Sequence, residues 1–203
     1  MASHLASIYG TENDKVNCSF YYKIGACRHG EKCSRKHVKP TYSNTVLCSN
    51  LYQNPANGET EPLNEDGSKM TKADLDKHFA LFFEDIYMEA AKLGRLEEMI
   101  VCENGNDHLT GNTYLRFRSQ EDAQKACDLF NTRWYAGRPV WCELSPVNDF
   151  TESCCRQHDT NECSRGNMCN FMHAKRPPKQ LARDLDASQR KFYNRQRDRK
   201  PRR

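Results

Sequence analysis

The chain has 203 residues, room for one ordinary domain and small accessories. Charged residues make up 29% and the hydrophobic class 37%, which fits a modest core under a polar surface, and without a run of about eighteen apolar residues a membrane span is excluded. The start MASHLASIYGTENDK has no apolar signal core, so the eleven cysteines are expected to be metal ligands or buried thiols rather than disulfides. Charge is segregated. Residues 15–40 carry a net +6, residues 41–150 a net −8 and residues 151–203 a net +8. Two basic arms suit a polyanion, whereas the acidic middle suits a different partner.

The first element is metal-like. Cys18, Cys27, Cys33 and His37 form C-x8-C-x5-C-x3-H. About twenty residues cannot bury enough apolar surface to fold alone, and zinc ligation can supply the deficit, about 10–16 kcal/mol apparent in zinc-finger peptides. The pattern recurs at Cys163, Cys169 and His173, with either Cys154 or Cys155 as first ligand. Two zinc ions are therefore expected. Four protein ligands per ion leave no open position for catalytic water. The spacing resembles the CCCH zinc-finger family, whose members bind single-stranded RNA, and the family pattern favours Cys155. Bases stack on aromatic or Arg planes while cations meet phosphates. Phe20, Arg28, His29, Ser34 and Arg35 in the first finger are candidates for this role. Arg156, Arg165 and Phe171 are their counterparts in the second. Many RNA-binding members carry aromatics two residues after the second and third cysteines. Here His29, Arg35, Arg165 and Phe171 fill those slots, which implies a different base preference. Tyr21 and Tyr22 could equally serve RNA or pack on the zinc core.

Between the fingers the periodicity predicts β-α-β-β-α-β. Strands are expected over 45–51, 96–102, 112–118 and 139–144. Thr71 caps a helix whose Leu75, Phe79, Phe82, Phe83, Ile86, Ala90 and Leu93 share a face, and Gly94 ends it. Ser119 caps a second, with Ala123, Ala126, Cys127 and Phe130 inward. This is the ferredoxin-like order of the RNA-recognition motif. Its usual stacking positions are degraded: Asn112 and Leu47 occupy two of three, Thr110 replaces the leading cation, and only Tyr114 remains. The sheet is thus expected to be a poor RNA surface. The helical side offers Glu84, Asp85 and Glu89, followed after the second helix by Arg133-Trp134-Tyr135. That Trp is either core filling or an interface anchor, since Trp and Arg are enriched at hot spots.

An acidic first helix, an eroded stacking octamer and an Arg-x-aromatic loop resemble the protein-binding variant of the RNA-recognition motif. With a CCCH finger on each side, residues 15–175 resemble the small-subunit family of the spliceosomal U-two auxiliary factor, in a short fungal-type form. The stretches CRHGEKCSRKH, RWYAGRPVWCELSPV and CNFMHAKRP carry the likeness. The resemblance implies a nuclear, non-enzymatic splicing subunit that recognises the AG of the 3′ splice site and heterodimerises with a large subunit. A Trp of that partner would enter a pocket between the two helices, bounded by Glu84, Asp85, Glu89, Arg133, Trp134 and Tyr135. Trp134 itself would meet a proline-rich part of the partner. No small-molecule substrate is implied. Tyr135 stands where the family has Phe, and the end RKFYNRQRDRKPRR has no Ser-Arg repeat.

The expected class is α+β: a central βαββαβ domain, an atypical RNA-recognition motif, over 43–148, flanked by fingers over 12–40 and 149–176, with a basic tail over 177–203. The fingers are expected to lie side by side as one RNA surface. The rival target is a decay or 3′-end-processing element. Enzymatic rivals are disfavoured, because the paired H-x-E and P-C-x-x-C of zinc deaminases and the C-x2-C pairs of zinc-dependent ubiquitin ligases are missing.

Overall fold

The computed structural model describes residues 16–58, 60–64 and 66–199. Residues 12–15 of the first expected finger, 200–203 of the expected tail and the opening stretch MASHLASIYGTENDK lie outside them. Five strands form one antiparallel sheet in the order β6-β1-β3-β2-β7: β1 (Thr45–Cys48), β2 (Leu96–Cys102), β3 (Thr113–Phe117), β6 (Cys142–Leu144) and β7 (Ala174–Lys175). The first four are the expected ferredoxin-like set. β7 belongs to the second finger and pairs Ala174 with Cys102.

Strand alternation explains how the sheet is covered on both faces. Val46, Cys48, Val101, Leu115 and Phe117 point to one face and join the helix core. Leu47, Ile100, Cys102 and Tyr114 point to the other and join Ile24 of the first finger with Phe150 and Met172 of the second. The helix face is packed by α2 (Lys72–Leu93) and α3 (Gln120–Phe130). Their starts are locally encoded. Thr71 and Asp74 form a reciprocal capping box, and Ser119 caps α3 by accepting from the Asp122 N–H. In the first finger α1 (Ser19–Ile24) follows Cys18, whose sulfur accepts from the Tyr21 N–H at 3.5 Å.

The expected strand over 139–144 is shorter, because the chain first makes a hairpin, β4 (Trp134–Tyr135) with β5 (Arg138–Pro139). Its two-residue turn has positive φ at Ala136 (47°) and Gly137 (76°), the signature of a twist-matched tight turn. Pro139 has no N–H to donate, so it sits in this two-stranded edge rather than in the main sheet. The second finger adds the short helices α4 (Phe150–Ser153) and α5 (Arg156–Asp159).

The basic segment expected after the second finger is ordered. Lys179–Arg199 is a helix, α6, packed on α2. Leu185 is buried in the helix core. Gln189, 5% exposed, accepts from the Leu96 N–H at 2.7 Å and donates to the Leu96 carbonyl at 2.9 Å. Tyr193 donates its hydroxyl to the Ala91 carbonyl at 2.8 Å.

Candidate metal centres, nucleic-acid interface and partner cavity

The ligand atoms of Cys18, Cys27, Cys33 and His37 lie within 4.8 Å of one another, as do those of Cys155, Cys163, Cys169 and His173. Sulfur separations are 3.8 Å for Cys27–Cys33, 3.7 Å for Cys155–Cys163 and 3.9 Å for Cys155–Cys169. Tetrahedral zinc with Zn–S bonds of about 2.3 Å requires about 3.8 Å between sulfurs. The donor set fits in two further ways. His37 Nε2 and His173 Nε2 are buried without a hydrogen-bond partner, and a bond to a metal ion would satisfy both. Burial pushes the Cys27 and Cys155 thiols up to about 11, so a cation is what holds them as thiolates at neutral pH. Cys33 differs: the Arg35 backbone N–H lowers its pKa. Each cluster is a closed zinc site, and the ion's contribution is structural. Packing separates the adjacent cysteines. Cys155 joins the cluster, and Cys154 packs against the sheet-side core.

Each ligand histidine is backed by a stacked ring three residues after the first cysteine. Tyr21 lies 4.4 Å from His37 at an interplanar angle of 8°, and His158 lies 4.0 Å from His173 at 7°. Tyr21 is 6% exposed, so its role is packing, while Tyr22 is open to solvent. His158 also meets Glu103 at 3.0 Å.

The two fingers are neighbours. Phe20 and Phe171 approach with ring centroids 6.1 Å apart. Ser153 of finger two donates its hydroxyl to the Lys23 carbonyl of finger one. A cleft of about 450 Å³ at this junction is lined by Lys23, Arg156, Arg165 and Phe171, among others. Phe20 is 41% exposed beside it. Arg28, His29, Ser34 and Arg35 are exposed on the ligand loop of finger one and do not line that cleft.

The sheet beneath is closed to stacking. Tyr114, the one retained platform residue, is fully buried and donates its hydroxyl to the Ile24 carbonyl at 2.6 Å. Asn112 is buried too, its amide accepting from the Asn50 N–H at 3.0 Å. Gly25 makes the docking possible. It caps α1 at φ 74°, and a Cβ there would stand 2.5 Å from Ser145 Oγ.

Two residues missed at the sequence level clamp finger two. Asn104, fully buried, donates to the carbonyls of Cys169 and Phe171, both at 3.0 Å, and accepts from the His173 N–H at 2.8 Å. Asn106 donates to the Cys169 carbonyl at 2.7 Å. Nothing in the loop ENGND distinguishes them locally.

On the opposite face, a cavity of about 460 Å³ opens between α2 and the hairpin. Glu84, Asp85, Glu89, Arg133, Trp134 and Tyr135 all line it. Arg133 Nη1 meets Glu89 Oε2 at 2.7 Å, and the Tyr135 hydroxyl donates to Asp85 at 3.3 Å. Lys92 and Arg133 hold Glu89 below the usual carboxylate range. Burial and Asp85 raise Tyr135 to about 12, so it stays a neutral donor. Trp134 is 71% exposed and fills no core.

Residues 13–39 and 149–175 match the family described as "Zinc finger C-x8-C-x5-C-x3-H type (and similar)". Over 192 residues the chain is 61% identical to the "Splicing factor U2AF 23 kDa subunit" of Schizosaccharomyces pombe, covering 95% of this chain and 86% of that protein. The chain belongs to the U2AF small-subunit family. It is also 53% identical over 196 residues to the "Splicing factor U2af 38 kDa subunit" of Drosophila melanogaster, covering 94% of this chain and 73% of that protein. Against the "Splicing factor U2AF 26 kDa subunit" of Homo sapiens it is 51% identical over 188 residues, covering 91% and 84%. The likeness to the fission-yeast protein fits the short fungal form, and the U2AF family name carries splicing with it.

Proposed function

We propose that this member of the U2AF small-subunit family reads the AG of the 3′ splice site in single-stranded RNA through both fingers acting as one surface, in the nucleus, while its α2–α3 side holds the large subunit. The RNA half rests on one observation above all: Phe171 lines a cleft with Lys23, Arg156, Arg165 and a single carboxylate, Glu152, and Phe20, from the finger over a hundred residues away, stands against Phe171 at its edge. Aromatic planes inside a basic frame suit unstacked bases. In this reading Arg28, His29, Ser34 and Arg35 extend the surface along finger one. Two four-ligand clusters suit structural zinc, which supports a binding role for the fingers. For the partner half, support comes from the acid-and-Arg-lined cavity with exposed Trp134 at its lip. Glu84, Asp85 and Glu89 supply its charge, and Arg133 and Tyr135 shape it.

Random-sequence RNA selection with the heterodimer tests the target. Short elements containing AG are expected, and AU-rich or polyadenylation-like winners would overturn the splice-site reading. Phe20→Ala and Phe171→Ala should each cost about 1–3 kcal/mol of RNA binding. Trp134→Ala should weaken capture of the large subunit with the fold intact; unchanged affinity would defeat the partner half.

A further inference from the structure

Beside the α2–α3 cavity lies a second cleft, of about 240 Å³, between α2 and α6. Its walls are Tyr87, Met88 and Ala91 from α2 and Leu185, Ser188 and Phe192 from α6. The polar group at its floor is already committed: the Gln189 amide is bonded to both backbone groups of Leu96 and to the Tyr87 hydroxyl. What faces solvent is chiefly hydrocarbon, with Met88 45% and Phe192 41% exposed. Met88 and Lys92 line both openings, so the two cavities form one track along α2.

We infer that this cleft is a second seat for the large-subunit segment that enters the α2–α3 cavity. The segment places an aromatic side chain beside Arg133 and Tyr135, and an apolar side chain between Ala91 and Phe192. This rests on the partner reading above. The reach is short. From Asp85 and Glu89 to Ala91 and Lys92 is one to two helical turns, roughly 5–10 Å. Two or three extended residues, at about 3.3 Å each, span it. Lys92, the cation common to both openings, is paired with Glu89, so its charge is already engaged. An uncharged, apolar side chain close to the aromatic anchor is therefore the chemistry that fits. The α6 helix, outside the βαββαβ unit, thereby becomes part of the recognition surface.

The test titrates the large subunit into the full chain. Phe192→Ala removes one wall, and Ser188→Trp fills the cleft without removing anything. Each should weaken binding about fivefold to tenfold with zinc content and melting temperature retained. In the heterodimer, Ser188→Cys carrying a photo-crosslinker should capture the large subunit within about five residues of its anchoring aromatic. Unchanged affinity in both variants would overturn the inference, as would a crosslink to residues 1–15 of this chain or to a second copy. Trp134→Ala and Glu89→Gln separate the two readings. If they weaken binding while the α6 variants do not, the cavity reading stands and the second seat falls. If none of the four has an effect, the partner reading itself has failed.

Discussion

The two fingers share ligand chemistry, yet they are held in different ways. The ligand loop of finger one ties back onto itself. Cys18 donates to the Lys36 carbonyl at 2.9 Å, Lys36 donates to the Val16 carbonyl at 2.8 Å, and Tyr21 stacks on His37. It reaches the central domain through the end of α1, by Ile24 and Gly25, and through the rim pair Lys39–Glu143. The ligand loop of finger two is built into the domain. Asn104 and Asn106 hold its carbonyls, the Gly105 N–H donates to Asn167 at 3.0 Å, and β7 extends the main sheet. One zinc therefore organises a docked module, and the other organises an edge of the domain itself.

The largest test of this contrast is metal removal at one site at a time. Cys18→Ala should release one zinc and unfold finger one, with the central domain's melting temperature little changed. Cys169→Ala should release the other zinc and also loosen β2 and β7, because the loop it orders is part of their pairing. Structural zinc can contribute on the order of 10 kcal/mol to its module, so the second loss should carry into the main unfolding transition. Calorimetry with zinc stoichiometry checks this, and equal shifts for both variants would break the comparison. Next in size is Asn104→Ala. It strands the Phe171 carbonyl and the His173 N–H in a buried place, at about 1–3 kcal/mol for each unsatisfied group, while the Cys169 carbonyl keeps its bond from Asn106. Chelator competition should show the second site's zinc affinity falling about tenfold to a hundredfold, with the first site unmoved.

What the sequence disclosed follows the same divide between local and long-range causes. The ligand clusters were readable because metal geometry imposes spacing on adjacent residues. The strands and helices were readable because burial on one face imposes a period. Asn104 and Asn106 were not, since in ENGND they look like solvent-facing turn residues, and their burial comes from docking a segment more than sixty positions away. The helix α6 carries Leu181, Leu185 and Phe192 at helical spacing and buries Leu185, but the polar bonds that fix it, from Gln189 and Tyr193, are marked by no hydropathy period. In sequence Tyr114 stands as the last stacking platform of a poor RNA sheet. The sheet is closed for a reason invisible in one strand: the fingers themselves sit on it. That also explains why Leu47 and Asn112 stand where aromatics are usual. Apolar packing and a satisfied amide replaced exposed rings.

Tyr114→Phe tests that docking more gently. It leaves the Ile24 carbonyl without its partner and should cost about 1 kcal/mol. Hydrogen exchange over residues 19–24 should quicken, while both zinc ions stay bound. Smallest of all is Lys39→Ala. The Lys39–Glu143 contact is 2.8 Å long, but the lysine side chain is 72% exposed, and exposed pairs contribute about 0–1 kcal/mol. Exchange at residues 19–24 should barely change and should be insensitive to added salt. If Lys39→Ala freed finger one as much as Tyr114→Phe, the finger would be held by surface charge. Its position would then vary with ionic strength, and with it the spacing of Phe20 from Phe171. A salt-independent result keeps that spacing a property of buried contacts, which is what a split RNA surface needs in order to read two bases in register.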